Sequence, residues 1–204
     1  METDKAAFMG KITAGVTHEI KNVLAIIKES AGLLEDLMSL AGAESPPSHE
    51  KYLKIISKIY NQVDRGVDLA AKLNEFAHTP DRLSATVDLN SAIDQVVSLS
   101  QRFARLKRVR LEAIPREGNS FILTDPLAFL ILLFQSIEIV MNAAVENTVL
   151  RVESVAESKT QIMISADQAK AERGNPPIPI NLSDSAPWDE IHQLVSELNM
   201  SVNA

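Results

Sequence analysis

Two long stretches of apolar residues, spaced alternately three and four apart and separated by a cluster of helix breakers, narrow the fold choices for the first part of this chain. Over residues 4–40 the stripe runs Ile12, Val16, Ile20, Val23, Ile27, Ala31, Leu34 and Met38. Over residues 48–78 it runs Leu53, Ile56, Tyr60, Val63, Val67, Ala70, Leu73 and Ala77. Such spacing keeps apolar side chains on one side of an α-helix, because a turn takes 3.6 residues. Between the stretches, Gly42, Ser45, Pro46 and Pro47 stop one helix and turn the chain. Two long helices with a short joint predict an antiparallel hairpin. Leu24, Ile26, Leu33, Leu37, Ile55 and Ile59 lie off the main stripes, so the hairpin has more apolar surface than it can cover by itself. Two hairpins packed as a four-helix bundle would cover it, which predicts a homodimer.

Within the first stretch lies the run Thr17-His18-Glu19-Ile20-Lys21-Asn22. At about 100° per residue, His18 projects almost opposite the centre of the stripe, and Asn22 follows one turn later, roughly 40° round. Both side chains are therefore expected to reach toward one patch of solvent. Glu19 points about 100° away, on the flank of that patch. Imidazole can carry a phosphoryl group, since one ring nitrogen attacks while the other keeps its proton. A neighbouring carboxylate can orient the ring or take a proton, and an amide four residues on could orient a water.

Composition excludes several other readings. The chain has 204 residues, no cysteine and four widely spaced histidines, so a disulfide framework or thiolate metal site is ruled out and a histidine cluster is not suggested. His18-Glu19 begins like a zinc-protease helix, but the position four residues after His18 is Asn22. His49, His78 and His192 have no companion groups in the sequence and read as incidental. A net charge of −7 argues against nucleic acid as the main partner, and the basic run Arg102, Arg105, Lys107, Arg108, Arg110 reads as solvated surface. The apolar run over residues 127–137 contains Gln135 and is too short to span a bilayer. The N-terminus lacks the basic start and apolar core of a signal peptide, and the expectation is a soluble cytoplasmic protein without a membrane partner.

The segment from Phe8-Met9-Gly10 through Thr17-His18-Glu19-Ile20-Lys21-Asn22-Val23-Leu24-Ala25-Ile26 resembles the phosphoacceptor box of bacterial sensor histidine kinases. In that family the box lies on the first helix of a dimerisation and phosphotransfer hairpin. The resemblance implies that His18 is phosphorylated, that Glu19 is its acid–base partner, and that Asn22 supports phosphatase activity toward a response regulator. Val23 stands where many members carry proline, which would leave the helix straighter.

Thr79-Pro80-Asp81 breaks the second helix and marks a boundary, giving a hairpin over residues 1–79 and a second domain over residues 84–204. The second domain alternates: strand 86–89, helix 90–106, strands 109–114 and 121–124, and an apolar helix opened by Asp125-Pro126 and running to about residue 146. Paired strands at 149–155 and 161–166, a helix at 188–198 after Pro187 and a short terminal strand complete it. That order predicts an α/β sandwich, helices on one face of a mixed sheet. Val87-Asp88-Leu89-Asn90, Val109-Arg110-Leu111-Glu112 and Asp125-Pro126 resemble the start of the same family's ATP-binding domain.

The family holds ATP with an asparagine-bearing helix and two glycine-rich segments. Glu138 and Asn142 have the mutual spacing expected on that helix, although counting from Asp125-Pro126 places the asparagine at Ile139. Asp167 falls at a strand end, as the adenine-reading aspartate would, but Ala169 and Ala171 stand where glycines are expected. Gly174 is the only glycine after Gly118, so no Gly-x-Gly can cradle phosphate. The three positions read as vestigial and no cofactor is expected.

A phosphorylatable histidine without ATP must take its phosphate from elsewhere. The expectation is a histidine phosphotransferase of a phosphorelay, carrying phosphate on His18 between aspartates of response-regulator receiver domains. A receiver, or a hybrid histidine kinase, would be the partner, with Mg²⁺ on the receiver rather than on this chain. The hairpin begins within a few residues of Met1, as suits a stand-alone relay component. The alternatives are a response-regulator phosphatase using Asn22, a divergent ATP-dependent sensor kinase, and a non-enzymatic pseudokinase adaptor.

Overall fold

The computed structural model describes residues 2–40, 48–81, 84–116, 118, 120–156, 160–168 and 195. Helix α1 (Glu2–Ser39) and helix α2 (His49–Ala77) form the hairpin, and the Tyr52 hydroxyl donates to the Leu37 carbonyl at 2.8 Å near its closed end. The breaker cluster at residues 41–47 lies outside the described residues. α1 continues unbroken through Val23, whose side chain is buried and packs beside Gly66 of α2. A Cβ on Gly66 would sit 3.3 Å from Val23 Cγ1, so glycine lets the helices approach closely here.

The side of α2 that meets α1 is not the one expected from the stripe. Leu69 and Phe76 are buried, with Ile55, Ile59 and Leu73 half-buried between them. Leu53, Ile56, Tyr60, Val63 and Val67 remain exposed. α2 carries two faces of heptad spacing, and periodicity does not say which of them a neighbouring helix will choose.

Strand β1 (Ala85–Asp88) leads into helix α3 (Leu89–Leu106), followed by strand β2 (Arg110–Ile114), strand β3 (Phe121–Thr124) and helix α4 (Pro126–Ala143). Strands β4 (Thr148–Ala156) and β5 (Thr160–Gln168) close the described part. Asp88 caps α3 by accepting from the Asn90 and Ser91 amides; Asp125 caps α4 through the Ala128 amide, with Pro126 just inside. α4 ends at Ala143, short of the expected extension to 146, because Ala144 is already extended.

Among the described residues the strands form two sheets rather than one. β1 pairs antiparallel with β3, while β2 pairs parallel with β4 and β4 antiparallel with β5. β1 and β3 have four residues each and run directly into capped helices. The helix expected at 188–198 and the terminal strand lie outside the described residues, except for Val195, which is helical and buried.

α4 is long and apolar enough to cross a membrane by length and composition, but most of it is buried inside the protein. Its side chains Leu130, Phe134 and Ile137 join one core with Ile93 and Val96 of α3, Leu150 and Val152 of β4, and Ile12 and Val16 of α1. Aromatic rings lock the hairpin to the α/β layer. Phe8 lies 5.5 Å from Phe76 and 5.3 Å from Phe134, and Phe134 lies 5.6 Å from Phe103, all edge to face. The Phe103 ring also presses on Gly15, where a Cβ would meet it at 3.1 Å.

Candidate functional site

α1 presents His18 and Asn22 on its exposed side, one turn apart, and neither side chain has a hydrogen-bond or ion-pair partner among the described residues. The helix around it is pinned: Val16 in the core and Val23 against Gly66 on the opposite side, and Gly15, about 60° round from His18, against Phe103. Rotation of α1 about its own axis is thereby prevented, and the imidazole is held toward solvent. This is what an incoming phosphoryl donor requires.

Glu19 lies elsewhere than on the flank of that patch. It is 4% exposed, turned into the junction between the hairpin and the α/β layer. Its Oε2 accepts from Arg65 of α2 at 2.9 Å, and its Oε1 pairs with Arg105 of α3. Burying an ionised carboxylate is tolerated only when it is paired and hydrogen-bonded, and two guanidiniums meet that need. The triad therefore ties three helices together beside His18. Arg65 carries no signal of this role in the sequence, and Arg105 belongs to a basic run whose pattern reads as solvated surface. The hydrophobic pattern gives no hint of a pairing across such chain separations.

Glu138 and Asn142 stand one turn apart on α4, and Asp167 lies on β5. Glu138 on α4 receives Lys11 of α1, with Nζ at 2.5 and 2.7 Å from its two oxygens. The same ammonium lies over the Phe134 ring at 5.0 Å and the Phe103 ring at 5.7 Å. Asn142 is exposed at the far end of α4, and Asp167 on β5 pairs with Arg151 of β4. Lys5 of α1 reaches the α4 cap at Asp125 at 3.1 Å. α4 thus meets the hairpin through Lys11 at Glu138, Lys5 at Asp125 and Phe8 against Phe134. The glycine positions Ala169 and Ala171 lie outside the described residues, as do Gly174 and His192.

Elsewhere, Lys72 of α2 binds Asp94 at 3.0 Å, Asp68 at 3.4 Å and the Ser98 hydroxyl at 2.6 Å, a second tie from hairpin to α3. Burial alone would lower its pKa, but the two carboxylates outweigh that and raise it above 10.5. No group of three or more potential metal ligands occurs among the described residues.

With this geometry in place, comparison with known proteins points one way. The chain is 31% identical to the sensor histidine kinase ZraS of Salmonella typhimurium over 123 residues, and 25% identical to the signal transduction histidine-protein kinase AtoS of Escherichia coli over 100 residues. Both relatives are histidine kinases, and the likeness is to part of each. It spans 25% of the length of ZraS and 15% of AtoS, and the matches take in 60% and 49% of its own residues. No family model matches. Among solved structures, a bacterial phosphotransferase aligns over 98% of this chain and 92% of that one, at 16% identity and a TM-score of 0.43. The histidine kinase AdeS of Acinetobacter baumannii aligns over 69% of this chain and 67% of that one, at 15% identity and a TM-score of 0.32.

Proposed function

We propose that this chain is a histidine phosphotransferase of a two-component phosphorelay, accepting a phosphoryl group on His18 from a receiver aspartate and passing it to another without ATP. The observation that carries the reading is the division of labour on α1. His18 is exposed and without a partner among the described residues, while Glu19 is held by two guanidiniums and Lys11 is drawn to Glu138 of α4. Transfer from an acyl phosphate suits such a site. A neutral ring nitrogen attacks phosphorus in line, the bond from phosphorus to the aspartyl oxygen breaks, and the receiver recovers its carboxylate. The other ring nitrogen keeps its proton, so no base is needed and Glu19 is free to serve as an anchor. Mg²⁺ held by the receiver would neutralise charge in the transition state.

The proposed working form is a homodimer, a four-helix bundle closed over the exposed stripe of α2, with residues 1–79 as the transfer hairpin and residues 84–204 as a degenerate ATPase-like domain in a cytoplasmic protein. To test the chemistry, the protein is incubated with phosphorylated receiver domains and no nucleotide. Acid-labile label should appear on the wild type and not on His18→Ala; equal labelling of both would refute the assignment. Asn22 favours a second reading, since its free amide shares the patch with His18 and could position water for a phosphatase. Asn22→Ala separates the two, abolishing phosphate release but sparing transfer if hydrolysis is a distinct activity.

A further inference from the structure

The basic run at the end of α3 is not evenly solvated surface. Arg105, Arg108 and Arg110, with Val109 and Asn147, line an open cleft of about 510 Å³. Arg105 reaches from this cleft to Glu19, the residue after His18, and Arg65 meets Glu19 from α2. The cleft is thus tied to α1 at the residue that follows His18 in the chain. Arg108 pairs with Glu146 at 3.0 Å in the open, whereas Lys107 and Arg110 have no ion-pair partner among the described residues. Of the three cations lining the cleft, Arg105 and Arg108 are each met by one carboxylate, Glu19 and Glu146, which leaves Arg110, with Lys107 next to Arg108 in the chain, as uncompensated positive charge on a chain whose net charge is −7.

The backbone singles out the same place. α3 ends with the Val109 amide bonded to the Ala104 carbonyl at 3.0 Å and Arg108 at φ +55°. That is the position after a helix where glycine sits without strain. A guanidinium is kept there at the expense of backbone comfort, and it projects into the cleft.

We infer that this arginine ledge is the docking surface for the acidic rim of the receiver domain that exchanges phosphate with His18. The inference rests on the phosphotransfer reading and adds the partner's recognition surface. A domain that carries an acyl phosphate on aspartate and holds Mg²⁺ beside it must present further carboxylates, because Mg²⁺ takes oxygen ligands. The ledge reaches α1 at Glu19, next in the chain to His18, so a receiver presenting its phosphoryl group to His18 brings its acidic mouth toward these cations. Exposed charges of this kind steer encounter and set register, so their removal is read in apparent affinity and salt dependence more than in the chemical step. The chain's overall negative charge disfavours nucleic acid as the occupant.

The test is Arg108→Glu combined with Arg110→Glu, two exposed positions whose replacement should leave circular dichroism and thermal unfolding unchanged. The probes are receiver domains from the same genome, phosphorylated with acetyl phosphate. For a receiver that labels His18, KM should rise about tenfold or more, the maximal rate should stay within about twofold, and the dependence of KM on salt should flatten. An unchanged KM overturns the inference, as does a fall in maximal rate alone. Anisotropy of a fluorescent receiver against the His18→Ala protein reads docking without transfer. If binding there is weakened by the charge reversal although no wild-type transfer occurs, the ledge stands and the phosphotransfer reading falls. If no receiver binds the wild type, or duplex DNA binds as tightly as the receivers, the ledge assignment fails.

Discussion

The stripe left open on α2 makes the dimer testable with a magnitude attached. Leu53, Ile56, Tyr60, Val63 and Val67 are 53%, 39%, 66%, 43% and 65% exposed in the single chain. Full burial of such a side chain is worth about 1.5–3 kcal/mol, so closing off the half still open is worth about 1 kcal/mol per residue. Ile56→Glu with Val63→Glu removes two contacts per protomer and four per dimer, or about 4 kcal/mol before like-charge repulsion is counted. At about 1.4 kcal/mol per decade, that weakens dimerisation on the order of a thousandfold. The protomer itself should barely respond, since exposed substitutions generally shift stability by less than about 0.5 kcal/mol. Sedimentation equilibrium over a range of concentrations, with urea unfolding at low concentration as control, measures both quantities. A dissociation constant that moves less than about tenfold would refute the interface. A protomer destabilised by several kcal/mol would refute the claim that these residues are open in the single chain.

Three further outcomes follow from the ties around the site. Glu19→Gln leaves Arg65 and Arg105 side chains 41% and 48% exposed and able to reach water, so the cost should be about 1–2 kcal/mol in urea unfolding, below the roughly 3–5 kcal/mol of a pair sealed from solvent. Transfer from a phosphorylated receiver should persist in that variant, and a loss greater than about a hundredfold in initial rate would restore Glu19 as the base. Arg108→Gly should stabilise the fold by about 0.5–1 kcal/mol, because a left-handed φ costs any residue with a Cβ and the exposed Glu146 pair contributes little; a lower melting temperature would contradict this. Lys72 has its folded-state pKa raised above 10.5 by Asp94 and Asp68, so its contribution is fully present below about pH 10.5 and is lost as pH climbs through the raised value. Lys72→Met should remove that alkaline step from a plot of unfolding free energy against pH.

What could be read from the chain without coordinates was whatever rests on local periodicity and local chemistry. The two long helices, the opening of α4 at Asp125-Pro126, and the outward projection of His18 and Asn22 all follow from local signals within a few turns. A helix repeats every 3.6 residues whatever surrounds it. What the sequence left open was which of two apolar faces on α2 would meet α1, because both carry the same heptad spacing and only the fit of Val23 against Gly66 distinguishes them. It also left Glu19 on an apparent flank and Arg105 in an apparent solvent run. Their meeting depends on where α3 crosses the hairpin, set by the packing of Phe103 on Gly15 and of Phe8 on Phe134. Local order fixes the direction a side chain leaves its helix; long-range packing alone decides what it finds there.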